Sequence, residues 1–189
     1  MLPRCNTICM PLTFLPATEI LVALGKFALN FADLEHWVNT GIIEAESITT
    51  AQGQSDVAWE SFKKRAERLE KSFKQVEATG IITFRPFLPT SSDLIALARQ
   101  RNDLLHGSPL TMLQFDRPAS GMKPGEAVPA KTIHVSHNIA TGSHGTIDVA
   151  TLDGLSTMAT EYAERITYLI ADLAIAKKAA GQQPLTFKV

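Results

Sequence analysis

The chain has 189 residues, of which 45% are hydrophobic and 20% are charged. Eighteen Lys and Arg residues against 19 Asp and Glu residues give a formal charge of −1, so no global attraction to nucleic acid or to an anionic membrane is expected. This composition is typical of one ordinary globular domain and excludes a disordered or fibrous chain.

The two cysteines and the first residues bear on redox setting and targeting. Cys5 and Cys9 are the only cysteines, too few and too close together to form a disulfide framework, which favours a reducing, cytoplasmic setting. Residues 1–17 contain three prolines and no continuous apolar run, so we expect an irregular N-terminal arm rather than a signal peptide. No apolar run of about 18 residues occurs, so no membrane span is expected.

Helical periodicity dominates the first half of the chain. It predicts a first helix over 18–46 with one apolar stripe, made of Ile20, Leu24, Phe27, Phe31, Leu34, Val38 and Ile42. A polar loop over 47–55 then leads to a second helix over 56–78, for which Ser55 is the expected N-cap. The other face of this second helix is rich in Lys, Arg and Glu, which indicates a solvated surface with i,i+4 ion pairs.

The second half of the chain mixes helix with short strands. A third helix begins at Thr90, Ser91 or Ser92 and is terminated by Gly107 and Pro109. The segments 110–117, 131–139 and 146–150 are predicted to be short strands around a turn-rich loop. A last helix is predicted over 152–180, with Thr151 as its N-cap and Gly181 at its end.

These elements predict an all-α fold: an up-and-down bundle of four to five helices. A small β-hairpin insertion, within residues 110–150, would separate the third helix from the last. We therefore expect one domain over 18–181, followed by a short tail over 182–189.

One cation lies on the apolar side of the third helix. On a helical wheel, Arg101 falls within about 60° of five apolar residues, namely Leu94, Leu97, Ala98, Leu104 and Leu105. A guanidinium in such a position must be paired, or it must face a cleft or an interface. Asn102 and His106 follow, four residues apart, on the flank of the same helix.

The segment RNDLLHG at 101–107 resembles the signature of HEPN domains, in which four to six residues separate an Arg from a His. The residue after that Arg is typically polar, as Asn102 is here, and the motif lies late in a helix. The segment FADLEHWV in the first helix is similar to the opening helix of many such proteins. HEPN domains are helical bundles and commonly dimeric, so the resemblance implies a homodimeric bundle.

Many HEPN domains are metal-independent ribonucleases that act in defence or stress, and the resemblance implies this activity. RNA would be cleaved through its own 2′-hydroxyl to give a 2′,3′-cyclic phosphate. His106 would serve as acid or base, Arg101 would clamp phosphate oxygens, and Asn102 would bind phosphate or orient His106. Two copies of the motif would form one cleft at a dimer interface, with no metal or cofactor.

A structural role for the same residues is the alternative. Arg101 would then be a buried cation paired with Glu35, His106 would interact with the helix dipole, and Asn102 would bond to nearby backbone. Glu35 would otherwise support the site by orienting Arg101. The corresponding functions are a catalytically inactive HEPN-like dimeric adaptor that holds a partner protein, or an unrelated helical protein.

Two further features limit these interpretations. Ser108 stands where some toxin members of the family carry a Tyr that a partner enzyme modifies, which weakens the case for that arrangement. His134 and His137 have the spacing of a metal pair, but alternation along a strand would place them on opposite faces.

Overall fold

The computed structural model describes residues 9–12, 18–82, 87–106, 108–115, 130–138 and 143–181. These residues form five helices and four strands, in the order β1 Cys9–Leu12, α1 Thr18–Glu46, α2 Ala51–Trp59, α3 Phe62–Ala78, α4 Ser91–Leu105, β2 Ser108–Phe115, β3 Ala130–Asn138, β4 Ser143–Thr146 and α5 Val149–Ala179. Helix is the main secondary structure of the described residues, which confirms the predicted helical class at this level.

Helix α1 has the predicted bounds and the predicted buried face. Its apolar stripe is buried along the helix, with the exception of the half-buried Leu24; the buried members are Ile20, Phe27, Phe31, Leu34, Val38 and Ile42. Apolar residues every three to four positions place their side chains on one side of a helix, so burial of that side stabilises the element.

The second predicted helix was wrong at its start, because two helices occupy this part of the chain. Thr50 caps α2 by accepting a hydrogen bond from the Gly53 N–H at 3.2 Å, so helix replaces much of the predicted loop over 47–55. Glu60 then has extended backbone, and Ser61 caps α3 by accepting from the Lys64 N–H at 3.4 Å. Two hydroxyl caps therefore start two helices where Ser55 was expected to start one.

The last helix also begins earlier than predicted. The Thr151 N–H donates to Asp148 Oδ1 at 2.6 Å, so Asp148, rather than Thr151, satisfies the first backbone donors of α5. Strand β4 ends at Thr146, and the predicted strand over 146–150 was therefore wrong beyond its first residue. Gly181, with φ +75°, follows the helix as predicted.

The chain divides into two compact units. The strand-bearing unit comprises residues 1–25 and 102–153, and the helical unit comprises residues 26–101 and 154–189. The boundaries fall within α1, α4 and α5.

The strand-bearing unit contains an antiparallel sheet with strand order β1-β2-β3-β4. Strand β1 pairs with β2, so residues 9–12 are a strand although an irregular arm was predicted over 1–17. Pairing with a neighbouring strand satisfies backbone groups that an isolated arm would leave to water. A small apolar cluster in this unit is made of Ile20, Ala23, Ile147 and Leu152, with Leu24, Leu104 and Val149 packed against it.

In the helical unit, α1 packs closely against α3 and α5. A Cβ atom added to Gly41 would lie 2.7 Å from Leu69 Cδ1 and 3.3 Å from Ile166 Cγ2, so glycine permits this approach of the three helices. Asn30 also donates from α1 to the hydroxyls of Ser156 and Thr160 on α5, at 2.7 and 3.0 Å. The core of the unit therefore lies between α1, α3 and α5.

Candidate functional site

Helix α4 carries the motif, and its start is held by polar contacts. Thr90 Oγ1 accepts a hydrogen bond from the Asp93 N–H at 3.2 Å, and Glu70 Oε2 on α3 accepts one from the Ser91 N–H at 2.9 Å. Leu94 and Leu97 are both buried and fix the inner side of the helix. The inner side of α4 therefore continues toward Arg101, which lies one turn after Leu97.

Arg101 is half-buried and packs on an aromatic ring of the core. Its Cζ atom lies 5.5 Å from the centroid of the Phe31 ring on α1, within the distance of a cation–π contact. Phe31 is itself only 2% exposed. The guanidinium therefore contacts a core residue of the helical unit.

Arg101 is one end of a row of four side chains from α4, α1 and α3. The Phe31 and Phe62 ring centroids are 5.2 Å apart with a tilt of 48°, and Arg65 Cζ lies 5.4 Å from the Phe62 centroid. We call Arg101, Phe31, Phe62 and Arg65 the Arg–Phe–Phe–Arg row. It places one guanidinium at each end of an aromatic pair.

Glu35, which the sequence suggested as a partner for Arg101, pairs with Arg65 instead. Arg65 Nη2 donates to Glu35 Oε1 at 2.9 Å and its Nη1 donates to Asn39 Oδ1 at 2.8 Å. The suggested ion pair between Arg101 and Glu35 is therefore replaced by one between Arg65 and Glu35. Arg65 was missed, although its place on the wheel, about 40° from Leu69, is a signal for a cation at the edge of an apolar stripe.

Asn102 and His106 belong to the strand-bearing unit, and both are exposed. The His106 N–H donates to the Asn102 carbonyl at 2.9 Å, which is the i to i−4 bond of an α-helix. Helical geometry therefore reaches His106, and the two side chains lie on one flank of α4, accessible to solvent. The exposed imidazole of His106 is accessible to a ligand in solution.

Other charged residues of α3 form ion pairs, either within the helix or with neighbouring segments. Arg68 donates to both Glu46 and Glu60, and its hydrogen bonds to Glu46 hold the pKa of the Glu46 carboxyl below its usual value. Lys63 lies 3.8 Å from Glu67 as an i,i+4 pair. This confirms the predicted solvated face with i,i+4 pairs.

Several sequence candidates lie outside the described side chains: Cys5, Cys9, Ser108, His134 and His137. Among the side chains that are described, no three His, Cys, Asp or Glu residues lie close enough together to hold a metal ion. Over the same part of the chain, no helix combines the length and apolar character that crossing a membrane requires.

Comparison with protein-family models, with curated proteins and with solved structures finds no match to the chain. The function proposed for it therefore depends on its own residues and their geometry.

Proposed function

We propose that the chain is a HEPN-like protein acting as a homodimeric, metal-independent endoribonuclease in cytoplasmic defence or stress. In this proposal the helices form the HEPN-like bundle, and β2 and β3 form a hairpin insertion between α4 and α5. The proposal is supported by the sequence RNDLLH at 101–106, at the end of a helix as the family motif requires.

The observation that carries the proposal is the contrast between Arg101 and its two motif partners. Arg101 is held against a core ring, whereas Asn102 and His106 are exposed. A held guanidinium suits binding of a phosphate at fixed geometry, and an exposed imidazole suits proton exchange with a substrate. Together they provide the two kinds of group that RNA cleavage without a metal requires.

In the proposed reaction, the 2′-oxygen of RNA attacks the neighbouring phosphorus and the bond from phosphorus to the 5′-oxygen breaks. A neutral imidazole takes the 2′-hydroxyl proton, and a protonated imidazole gives a proton to the leaving 5′-oxygen. His106 from each of two copies would supply these two roles. Arg101 would bind the phosphate oxygens through its planar fork, and Asn102 would hydrogen-bond to phosphate or orient His106. The products are a 2′,3′-cyclic phosphate and a 5′-hydroxyl.

The test is cleavage of total RNA in EDTA by the wild type, by His106→Ala and by His36→Ala. His36 is an exposed histidine on α1 outside the motif, and it serves as the matched control. We expect cleavage to a cyclic phosphate by the wild type and by His36→Ala, and loss of cleavage in His106→Ala with unchanged circular dichroism. Equal cleavage by all three proteins would contradict the proposal.

The catalytically inactive adaptor is the second candidate, favoured by the burial of Phe31 beneath Arg101. If the Arg101 guanidinium only stabilises the core, its removal lowers the stability of the fold, and residues 101–106 bind no RNA. A folded, dimeric wild type that cleaves no RNA, together with a large loss of stability in Arg101→Ala, is the result expected for an adaptor.

A further inference from the structure

We infer that Ser47 and Lys177 form a serine–lysine dyad, a second catalytic site that accepts the acyl group of an ester on the Ser47 hydroxyl. The Lys177 Nζ and Ser47 Oγ atoms are 2.9 Å apart, within hydrogen-bond distance. Ser47 directly follows α1 and Lys177 lies in the last turn of α5, so both residues belong to the helical unit. The inference goes beyond the proposed ribonuclease and uses none of its residues.

Ser47 combines an accessible position with the strained backbone found at some nucleophiles. It is exposed, and its φ is +56°. Within the described ranges, no other residue besides glycine has a positive φ. Left-handed backbone at a helix end is usually occupied by glycine, because a Cβ atom makes it costly. A serine at this position places a hydroxyl on a sharp turn that an electrophile in solution can reach.

The turn that carries Ser47 is held on both sides. The Ile48 N–H donates to the Ile43 carbonyl at 2.9 Å, which ties the turn to α1. Gln54 of α2 donates to the Ile48 carbonyl at 3.4 Å, and a Cβ atom added to Gly53 would lie 2.7 Å from Ile48 Cγ2. The backbone of Ser47 is therefore fixed by α1 and α2, as a preorganised nucleophile requires.

Lys177 is placed as the general base for this hydroxyl. It is 6% exposed, and burial lowers the pKa of its ammonium, with the charge of Glu44 opposing the shift. The Glu44 main-chain carbonyl also accepts a hydrogen bond from Lys177 Nζ. After loss of one proton, the amine can keep this bond to the carbonyl and direct its lone pair to Ser47 Oγ. An anchored amine beside an exposed hydroxyl is the arrangement that activates a serine.

The reaction takes a carboxylic ester and passes through an acyl-serine. Ser47 Oγ attacks the carbonyl carbon while Lys177 Nζ takes the hydroxyl proton. That proton then passes to the leaving alkoxide as the C–O bond of the ester breaks. Water attacks the acyl-serine with Lys177 again as base, which releases the carboxylic acid and restores the hydroxyl. The covalent intermediate on Ser47 is the species that an experiment can detect.

The first test uses a fluorophosphonate and p-nitrophenyl acetate as probes. Ser47→Gly removes the hydroxyl and suits a positive φ, so this variant should fold. Thr49→Ala is the control, because Thr49 is an exposed hydroxyl residue two positions away. We expect mass spectrometry to find the phosphonate on Ser47 in the wild type and in Thr49→Ala. Both should also release a burst of p-nitrophenolate, and Ser47→Gly should show neither reaction.

The second test addresses the base. Lys177→Met should slow labelling of Ser47 at least about 100-fold, whereas Lys178→Met, at the exposed neighbouring position, should leave the rate unchanged. In the wild type the labelling rate should rise with pH as Lys177 loses its proton. Glu44→Gln removes the charge that opposes the lowered pKa of Lys177, so it should move the midpoint of this rise to lower pH. A purely structural lysine would not produce this shift.

Three results would overturn the dyad and leave Lys177 as a structural cap of the α1 C-terminus. These are a wild type that is not labelled at Ser47, equal labelling rates in Lys177→Met and Lys178→Met, or the same midpoint in Glu44→Gln as in the wild type. If circular dichroism shows that Lys177→Met is unfolded, the midpoints decide. Each of these measurements is independent of RNA cleavage, so failure of the ribonuclease does not affect it.

Discussion

Glu35 on α1 and Arg65 on α3 form an ion pair of 2.9 Å in which the arginine side chain is only 10% exposed. Asn39 lies one turn after Glu35, and its Oδ1 accepts a hydrogen bond from Arg65 Nη1 at 2.8 Å. Because burial removes water from the cation, these acceptors on α1 compensate its desolvation. The pair thereby joins α1 to α3 beside Phe62, whose ring packs on Phe31.

Breaking this pair should cost stability on either side. We expect Glu35→Ala and Arg65→Ala each to lower the free energy of unfolding by about 2–3 kcal/mol, since each leaves a buried or half-buried group without its partner. The double variant should lose about 1–2 kcal/mol less than the sum of the two single losses. Urea unfolding followed by circular dichroism measures all four proteins, and strictly additive losses would show that the pair is not coupled.

Substitution of Gly41 should distort the packing of three helices. Gly41→Ala places a Cβ 2.7 Å from Leu69 Cδ1, so we expect a loss of about 1–3 kcal/mol in the free energy of unfolding. Gly25 on the same helix is the matched control, because, apart from its chain neighbours and the nearby backbone of its own helix, no atom of the described residues lies within 4 Å of a Cβ built there. Gly25→Ala should stabilise by about 0.5–1 kcal/mol through helix propensity, and a similar effect of both changes would contradict the packing argument.

Periodicity explains why the long helices were predictable. In α1 the apolar residues recur every three to four positions without interruption, so the stripe identifies both the helix and its buried face. The division between α2 and α3 was not predictable in this way, because no Gly or Pro marks it. It depends on Ser61 capping a new helix after the extended Glu60.

The candidate site was predictable only in part, for a related reason. The motif at 101–106 is enough to identify Arg101, Asn102 and His106 as candidates, and the helical wheel places Arg101 among apolar neighbours. Which carboxylate meets which arginine depends on how α1 packs on α3, and local sequence does not contain that information. Glu35 could therefore be identified as a partner for an arginine, but Arg65 could not be distinguished from Arg101 as its partner.

Glu70 should stabilise the start of α4 in a pH-dependent way. Hydrogen bonds from Lys74 and from the Ser91 N–H lower the pKa of Glu70 to about 2. A depressed carboxyl pKa stabilises the fold above the unfolded value of about 4.3, and this contribution is lost as pH falls toward 2. We expect Glu70→Gln to lower the free energy of unfolding by about 1 kcal/mol at pH 7 and by less at pH 3.

The measurement for Glu70 is urea unfolding at several pH values between 3 and 7. Glu67→Gln is the control, because the Glu67 side chain is 52% exposed and its ion pair is long. It should change the free energy of unfolding by less than about 0.5 kcal/mol throughout. A loss in Glu70→Gln that does not vary with pH would contradict the proposed titration.

Glu44 should give the opposite pH dependence. It is 2% exposed, and burial raises the pKa of its carboxyl, with Lys177 opposing the shift. The Lys177 ammonium donates to the Glu44 main-chain carbonyl and to Ser47 Oγ. Within the described residues, Glu44 Oε2 has no hydrogen-bond partner. The folded protein therefore retains the Glu44 proton to higher pH than the unfolded chain does.

A raised carboxyl pKa destabilises the fold increasingly as pH rises from about 4.3 through the folded value. Glu44→Gln removes this titration. We expect the stability of the wild type relative to Glu44→Gln to fall between pH 4 and pH 7, as measured by urea unfolding of both proteins. A relative stability that rises with pH over this interval would show that the carboxyl pKa is lowered rather than raised.

The variant Arg101→Lys distinguishes two roles for Arg101, namely binding of phosphate and support of the core. Lysine retains the positive charge and can still meet the Phe31 ring, but it lacks the planar fork that binds two oxygens together. If Arg101 clamps phosphate, the variant should lose at least about tenfold in kcat for RNA in EDTA while the free energy of unfolding changes by less than about 1 kcal/mol. If Arg101 only supports the core, unfolding should shift by more than this and cleavage per folded molecule should stay the same. The matched substitution Arg99→Lys, at an exposed position of α4, should change neither quantity.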